Sequence, residues 1–526
     1  MRGKIRLMLM ALVLMSCSGK GIDPEDGLDY QYGRDLSHEK IVLGARLENP
    51  YKTENITKAL EALYPTKADR VDVRTTDLYV RFLPKNEDQL SVLEGMDLKL
   101  MDHPLDYEIL EDGDWYHDPE VPDDMVTWQY AVVPRDFVFP DMEYEIIDEC
   151  HLSENDPDSR ADEGIDWEAV ERQAYMMTGN EDLLLPETKA SKVYPSGRIT
   201  IVDELFDGGK PQGVKGVRVS CNSFIKFAHS YTDEDGYYKM NKKYSAKPRY
   251  RLVFDNVKDF SIGFNLILVP ASTSTLGKAS PSGINMTVTR RSESKLFKRC
   301  VVNNAAYDYY TRCSSDDLNI VPPPKDLRIW LFHNLKASSS MMMHHGAIID
   351  MSVLSSFLGS FAPLIKIFLP DITIGVKGHD DYQSIYAEVC HELAHASHFS
   401  KVGTEYWNRY ILYVLGSYVS SGGMTYGDGR GTNSGYCEVG EMWAYYMSAK
   451  LWHERYGGNY PAFGTSYWFY PQILRYIEAK GIRCRGIFEC MDRSVNSRDM
   501  FQRALMTSFP DQDEYIDMIF SRYRNI

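Results

Sequence analysis

The most informative stretch of this 526-residue chain is Cys390-His391-Glu392-Leu393-Ala394-His395, which lies in a segment of helical character from Tyr382 to Phe399. A step of four residues advances an α-helix by a little more than one turn, about 6 Å. The imidazoles of His391 and His395 therefore share one helix face, where both can reach a single Zn²⁺ at about 2.0 to 2.1 Å. We expect these two histidines to be zinc ligands.

The glutamate beside the first histidine, Glu392, is the expected general base. Its carboxylate can contact a zinc-bound water without occupying a ligand position, accept the proton of that water and pass it to a departing amine. This arrangement predicts the hydrolysis of peptide bonds, with the zinc-bound water as nucleophile.

A catalytic zinc site of this kind needs a third protein ligand before water completes the tetrahedron. His398 lies seven residues beyond His391, about 10 Å along the helix axis, and is expected to line the rim or to pack. A second predicted helix, Tyr436 to Tyr445, offers the carboxylates of Glu438 and Glu441. Because these two are three residues apart on one helix face, their spacing leaves the choice open.

The arrangement resembles that of the gluzincin metallopeptidases, in which H-E-x-x-H is followed on another helix by a glutamate ligand. The stretch Glu441-Met442-Trp443-Ala444 looks like the E-G-F-A form of their aminopeptidase-like branch. The resemblance implies metal ligation by His391, His395 and Glu441, and general-base catalysis by Glu392. Glu438 remains the alternative third ligand.

The resemblance also implies features that would contact a substrate. The segment Ile372 to Val376 directly precedes the helix, where zincin folds place an edge strand that pairs with an extended peptide. Tyr445 stands where the thermolysin-like form has Asp, which leaves the surroundings of the ligands unassigned. Tyr445, Tyr446 and His398 are candidates for donating a hydrogen bond to a tetrahedral oxyanion.

A pair of adjacent histidines, His344-His345, raises the question of a second metal site. Adjacent residues point apart on regular structure, so one ion cannot easily bind both. We expect this pair to lie in a loop.

The first 17 residues indicate export. A short basic region is followed by an apolar run, Leu7 to Met15, that is too short to span a bilayer as a helix. The run ends in Leu14-Met15-Ser16-Cys17, which resembles the lipobox of bacterial lipoproteins. The resemblance implies a lipid on Cys17 that anchors an exported protein to a bacterial membrane, at the outer membrane or cell surface, with an ordinary secretory signal as the alternative. Residues 18–39 are expected to form a flexible tether.

The composition of the chain limits which classes of partner are expected. The formal net charge of −17 leaves no general basic surface for a phosphate backbone, so nucleic acid is not expected as a partner. Eight cysteines remain besides Cys17, and export would allow disulfides. Cys484 with Cys490, or Cys390 with Cys437, are candidate bridges, and free buried thiols are an equal alternative.

Residues 193–290 have a different pattern, in which short β-rich runs alternate with clusters of Gly, Pro and Asp. This spacing favours an antiparallel sandwich. Three stretches resemble the carboxypeptidase regulatory-like, or transthyretin-like, β-sandwich family: Gly197 to Asp203, Pro211 to Val219 and Thr232 to Tyr238. Because such modules usually carry no catalysis, the resemblance implies a spacer or a binding platform.

The predicted fold class is multidomain α+β. It comprises an N-terminal α/β domain of unknown role (40–190), the antiparallel β-sandwich (193–290) and a mainly helical zincin-like domain (293–526). In the first domain we predict, in order, the helix Thr53–Leu63, the strand Leu78–Leu83, the helix Glu87–Leu93 and the strand Leu98–Met101. In the last we predict the strand Leu327–Phe332, the helix Ile348–Leu369 and a mobile Gly- and Ser-rich loop, Ser417–Gly435.

The expected function is therefore zinc-dependent hydrolysis of a peptide or protein substrate by a surface lipoprotein. Two alternatives remain. One is a non-catalytic surface lipoprotein that binds a protein or a glycan, although an intact Glu392 speaks against it. The other is a self-inhibited precursor, with the N-terminal domain lying over the cleft.

Overall fold

A computed structural model describes residues 40–66, 71–96, 98–113, 115–122, 125–158, 164–184, 193–263, 273–333, 338–347, 370–421 and 426–524. The predicted signal sequence (1–17), the tether (18–39) and the predicted helix Ile348–Leu369 lie outside these residues. Within them, no helix is both long enough and apolar enough to cross a membrane.

In its described residues, the N-terminal segment contains two small antiparallel sheets and three α-helices. The strands are β1 (Val42–Arg46), β2 (Asp77–Leu83), β3 (Tyr107–Glu111), β4 (Gln129–Pro134) and β5 (Glu143–Cys150), and the helices are α1 (Thr53–Leu63), α2 (Glu87–Gly95) and α3 (Trp167–Met177). Strand β2 lies between β4 and β5, and β1 pairs with β3. The predictions of α1, β2 and α2 are confirmed.

One predicted strand of this segment is wrong. Only Met101 of the stretch Leu98–Met101 makes a ladder contact, as an isolated bridge to Tyr130. Leu98 and Leu100 instead pack against the core around Phe82, so burial of their side chains explains the apolar pattern. Because the paired strands β1 to β5 are all antiparallel, the segment is α+β and not the α/β unit that was predicted.

The middle segment contributes strands to two sheets. The smaller sheet consists of β6 (Ser196–Val202), β7 (Pro211–Gly213), β10 (Tyr237–Lys239) and β14 (Met286–Val288). The larger sheet contains β8 (Val217–Ser223), β9 (Lys226–Tyr231), β11 (Arg249–Asn256), β12 (Phe260–Ile262) and β13 (Thr273–Lys278). Side chains of both sheets, among them Ile199 and Leu252, belong to one core. The pairing is not purely antiparallel as predicted, because β14 runs parallel to β6.

A tight turn at Asp235-Gly236 leads into β10. Gly236 has a φ of +84°, and a Cβ placed there would lie 2.0 Å from the carbonyl oxygen of Ile199. Only glycine fits this close approach between the turn and β6.

The larger sheet continues into the C-terminal segment. Its order is β16 (Ser339–Ser340), β17 (Ile372–Gly375), β15 (Leu327–Phe332), β12, β11, β8, β9. Strands β12, β15 and β17 are parallel neighbours. Strand pairing therefore crosses the boundary predicted between residues 290 and 293, and the middle and C-terminal segments share one sheet and one hydrophobic core.

The predicted edge strand does not lie at the edge. Strand β17 has β15 on one side and β16 on the other, with Ser339 opposite Thr373 and Ser340 opposite Ile372. The two-residue strand β16 comes from a distant loop whose pairing has no local sequence signal. It covers the side of β17 that was expected to receive a peptide.

The rest of the C-terminal segment is helical. The helices are α4 (Ser294–Cys313), α5 (Tyr382–Val402), α6 (Thr404–Ser421), α7 (Ser434–Tyr456), α8 (Gln472–Ala479), α9 (Cys484–Glu489), α10 (Arg498–Ser508) and α11 (Asp513–Arg522). Helix α5 begins after Asp381, whose carboxylate accepts a hydrogen bond from the backbone N–H of Ser384. It ends at Gly403, which has a φ of +82°. The loop predicted from Ser417 begins later, because α6 continues to Ser421.

Polar contacts attach the N-terminal segment to the β8–β9 hairpin of the larger sheet. Lys226 of β9 forms a buried ion pair with Glu171 of α3, with 2.7 Å between Nζ and Oε2. Tyr175 of the same helix hydrogen-bonds the Ser223 hydroxyl. This hairpin lies at the far end of the sheet from β16 and β17, the strands next to α5.

The candidate disulfides are not formed. The eight cysteines that the structure describes, including Cys390, Cys437, Cys484 and Cys490, are free and buried. Burial raises the pKa of these four thiols, which keeps them protonated and unreactive.

Candidate metal centre

Three side chains converge between helices α5 and α7. Nε2 of His391 lies 3.5 Å from Oε2 of Glu441, and Nε2 of His395 lies 3.4 Å from Oε1 of the same carboxylate. Ligand atoms of the three residues all lie within 4.8 Å of one another. The residues predicted to bind the metal are thus brought together by two helices that are about forty residues apart in sequence.

These separations match the size of a zinc coordination shell. Two ligand atoms at about 2.0 to 2.1 Å from a tetrahedral ion lie about 3.3 to 3.4 Å from each other. Each of the two imidazole-to-carboxylate distances is within about 0.2 Å of that value. The group is therefore close to the geometry that a zinc ion would require.

Close packing of α5 against α7 sets this geometry. The indole N–H of Trp443 donates a hydrogen bond of 3.2 Å to the carbonyl oxygen of Ala394. A Cβ added at Gly440 would lie 3.9 Å from Cε1 of His395, so the helix backbone passes close to the imidazole. Both Trp443 and Ala444 are fully buried. The two helices are thus fixed in register at the level of the ligands.

Glu441 has a second partner on helix α6. The hydroxyl of Tyr410 donates a hydrogen bond of 2.6 Å to Oε1 of Glu441. The rings of Tyr410 and Trp407 both lie 5.6 Å from the imidazole of His395, measured between ring centroids. Tyr410 therefore orients the carboxylate, and the two aromatic rings close one side of the group.

Buried atoms without a hydrogen bond are available to bind a cation here. His391 is 4% exposed, and His395 and Glu441 are fully buried. Nε2 of both histidines and Oε2 of Glu441 have no hydrogen-bond partner in the described part of the chain. Buried polar atoms are rarely left unpaired, and metal coordination is one way to satisfy them. The donor set of two imidazoles and one carboxylate is that of catalytic zinc sites.

The electrostatics of the group fit the same interpretation. Burial acts to raise the pKa of Glu441, but the facing imidazoles of His395 and His391 outweigh it and leave this pKa lowered. Burial lowers the pKa of His395. Glu441 is therefore ionised, the form that binds metal. The pKa of His391 is raised by its contact with Glu441, against the effect of burial.

Glu392 is held by strand β16. The hydroxyl of Ser340 lies 2.7 Å from Oε2 of Glu392 and 2.8 Å from the carbonyl oxygen of the same residue. The side chain is fully buried, and its other oxygen, Oε1, has no described partner. Burial raises the pKa of Glu392 to about 8, against the opposing charge of His391. The group can thus hold or release a proton near neutral pH.

The alternative third ligand, Glu438, is engaged elsewhere. Its Oε2 accepts a hydrogen bond of 2.9 Å from the backbone N–H of Arg498, and its Oε1 lies 3.2 Å from Nε of the same arginine. Glu438 therefore anchors the start of α10, and the structure groups Glu441, not Glu438, with the histidines.

The other predicted candidates occupy different positions. Tyr445 packs its ring against His391, with 4.3 Å between centroids, whereas Tyr446 packs against Trp443. His398 is fully buried against Tyr406 and Trp407, so it packs and does not line a rim. Of the three oxyanion candidates, only Tyr445 contacts a member of the metal group.

The adjacent histidines lie in a turn, as expected. Nε2 of His344 lies 2.9 Å from Asp326, and Nδ1 of His345 lies 2.9 Å from Asp371. Each imidazole thus has its own carboxylate partner. In the described residues, His391, His395 and Glu441 are the group found with the geometry for a metal ion.

Sequence reasoning missed two residues of this site, Tyr410 and Ser340. Tyr410 is one of 36 tyrosines, and Ser340 ends a serine run before three methionines. Neither position carries a motif. The spacing of Tyr410 from Trp407 on one helix face would have identified them as packing residues only.

Comparison with known proteins adds no relatives: no family model, no curated protein and no solved structure matches this chain.

Proposed function

We propose that this chain is a zinc-dependent peptidase in which His391, His395 and Glu441 bind the metal and Glu392 is the general base. One observation carries the proposal: two buried imidazoles lie 3.4 and 3.5 Å from one buried carboxylate, with the facing nitrogens unpaired. When bound there, Zn²⁺ would polarise a substrate carbonyl and lower the pKa of a water.

Glu392 supplies the proton transfer in this proposal. Its carboxylate directly follows one ligand in sequence and is not part of the ligand group. The Ser340 hydroxyl fixes Oε2, so Oε1 remains available to take a proton from water. A raised pKa then favours passing that proton to a leaving amine.

Support for a peptide as substrate comes from the motif and from the chemistry of its parts. A general base beside a three-ligand zinc site is the arrangement that hydrolyses amides, and the H-E-x-x-H helix is typical of metalloproteases.

We propose that the protein is exported and held to a membrane by lipid on Cys17, which would place the substrate outside the cytoplasm. Replacing Cys17 with Ser should release the protein from the membrane fraction.

The self-inhibited precursor is not favoured. The described contacts of the N-terminal segment include strands β9, β11 and β13, as between Glu171 and Lys226, and no described helix or strand of this segment packs extensively against α5 or α7. A pro-segment would have to lie over the metal group.

The test is hydrolysis of a quenched-fluorescence peptide library by the zinc-loaded protein and by Glu392→Gln. We expect the variant to retain zinc and to lose at least about a hundredfold in kcat/KM, since general-base catalysis contributes roughly 10²- to 10⁴-fold. Retention of zinc shows that the ligand geometry persists in the variant. Equal hydrolysis by both proteins would remove Glu392 as the base, and no hydrolysis by the zinc-loaded wild type would favour the non-catalytic binding protein.

A further inference from the structure

A cavity lies between the N-terminal segment and the larger sheet, and its lining includes no residue of the metal group. It has a volume of about 50 Å³ and is lined on one side by apolar side chains and on the other by strands β11 and β13. A water molecule needs about 10 to 15 Å³ by this measure, so the cavity has room for several waters or for one small oxyanion. Its charged lining residues are Lys247, Arg249, Arg251 and Lys278, and its described lining includes no carboxylate.

Arg251 is the most deeply buried member of this basic group. It is 4% exposed, and the structure gives its guanidinium two hydrogen bonds, 2.5 Å to Oδ1 of Asn222 and 3.5 Å to Nε2 of His103. A guanidinium has five N–H donors, so these two contacts do not use all of them. Burial and the charge of Arg249 lower the pKa of Arg251 to about 10, which shows that its charge is poorly compensated.

Two nearby acids, Asp102 and Asp112, each have bonding partners other than Arg251. Asp102 accepts hydrogen bonds from the backbone N–H of Tyr116 and from His103, whose pKa is lowered by burial. His103 is therefore neutral and separates this carboxylate from Arg251. Asp112 pairs with Arg249, and half of its side chain is exposed.

The cavity also has a solvent-facing side. Lys247 and Lys278 are exposed, whereas Arg249 and Arg251 are buried. Burial and the charge of Arg249 lower the pKa of Lys278, against the opposing charges of Asp182 and Glu108. A dianion entering between the lysines would meet both arginines, which favour bidentate contacts with oxyanions.

We propose that this cavity, formed by Lys247, Arg249, Arg251 and Lys278, is a binding site for a tetrahedral oxyanion, phosphate or sulfate. The site joins two segments of the chain, so an occupant would also stabilise their docking. It is independent of the metal group and of the peptidase reaction.

The test is calorimetric titration of the full chain with inorganic phosphate at constant ionic strength, with sulfate as competitor. We expect one site per chain, competition by sulfate, no detectable binding in Arg251→Gln and at least tenfold weaker binding in the double variant Lys247→Gln, Lys278→Gln. Lys210→Gln is the charge-matched control, since Lys210 is exposed and pairs with Asp207 instead. The double variant decides the question if Arg251→Gln does not fold, because both lysines are exposed.

Three results would overturn the proposal. These are a phosphate signal no larger than that of chloride at equal ionic strength, unchanged affinity in the double lysine variant, and acetate binding as tightly as phosphate.

Discussion

The hydroxyl of Tyr410 donates a 2.6 Å hydrogen bond to Oε1 of Glu441, the carboxylate that faces both histidines. This contact joins helix α6 to the two helices that carry the metal group. A carboxylate ligand held in this way has one oxygen fixed by the protein and the other, Oε2, without a described hydrogen bond. Such partners orient metal ligands before the metal binds.

Removing this hydroxyl should weaken metal binding without unfolding the protein. We predict that Tyr410→Phe lowers zinc affinity about 10- to 100-fold, the usual effect of losing a hydrogen bond to a ligand. Competition with a chromophoric chelator measures the affinity. Tyr413→Phe is the matched control on the same helix, because its hydroxyl bonds the carbonyl oxygen of Tyr426. Equal affinities in Tyr410→Phe and wild type would contradict the orienting role.

Ser340 should tune the general base. Its hydrogen bond lowers the pKa of Glu392 against the larger effect of burial, so Ser340→Ala raises that pKa further. A base with a higher pKa is ionised only at higher pH, and we predict that the acidic limb of the kcat/KM profile moves to higher pH.

Ser340→Ala should also lower kcat/KM, and Ser339→Ala is its control. Near neutral pH the loss in kcat/KM should be roughly tenfold, since hydrogen bonds to charged groups contribute about 1.5–3 kcal/mol. Ser339→Ala removes the neighbouring hydroxyl, which bonds Thr373 instead, and should leave the profile in place. An unshifted limb in Ser340→Ala would show that this hydroxyl does not act on the base.

The shared helix face of His391 and His395 was predictable because its signal is local. Two histidines four residues apart on a helix share a face in any fold, and the helix Tyr382–Val402 extends only three residues beyond the predicted end at Phe399. The second helix was also confirmed, and the choice of Glu441 over Glu438 came from resemblance. Spacing alone did not distinguish them, since both lie on one face.

The features that were missed depend on long-range pairing. Strand β16 reaches β17 from another part of the chain, and β12 pairs in parallel with β15 across the predicted domain boundary. Parallel neighbours are joined by long connections, so no turn signal marks them. The contacts of Tyr410 and Ser340 depend on the same tertiary arrangement, and no periodic pattern in the sequence predicts them.

The buried pair of Lys226 and Glu171 should dominate the docking of the N-terminal segment. Lys226→Met leaves Glu171 buried beside Tyr51 without a cation, and we predict a loss of about 3–5 kcal/mol in the free energy of unfolding. Lys242→Met is the control: its partner Glu154 lies 3.6 Å away and its side chain is 21% exposed, so the loss should stay below about 1 kcal/mol. Urea denaturation at pH 7 measures both, and similar losses would contradict the assignment.

Free, buried cysteines predict insensitivity to reductant. Because the eight described cysteines are free, dithiothreitol should not change the melting temperature. In denaturant, a thiol reagent should titrate all eight without prior reduction. A lower count, or a melting temperature that falls on reduction, would indicate a disulfide.

The central claim is that Glu441, together with His391 and His395, holds one zinc ion. The most direct test is metal analysis of the purified protein after dialysis against a weak chelator, for wild type, Glu441→Ala and Glu438→Ala. We predict one zinc per chain in the wild type and in Glu438→Ala, whose native partner is Arg498, and strongly reduced zinc in Glu441→Ala. Full zinc occupancy in Glu441→Ala, or none in the wild type, would contradict the account.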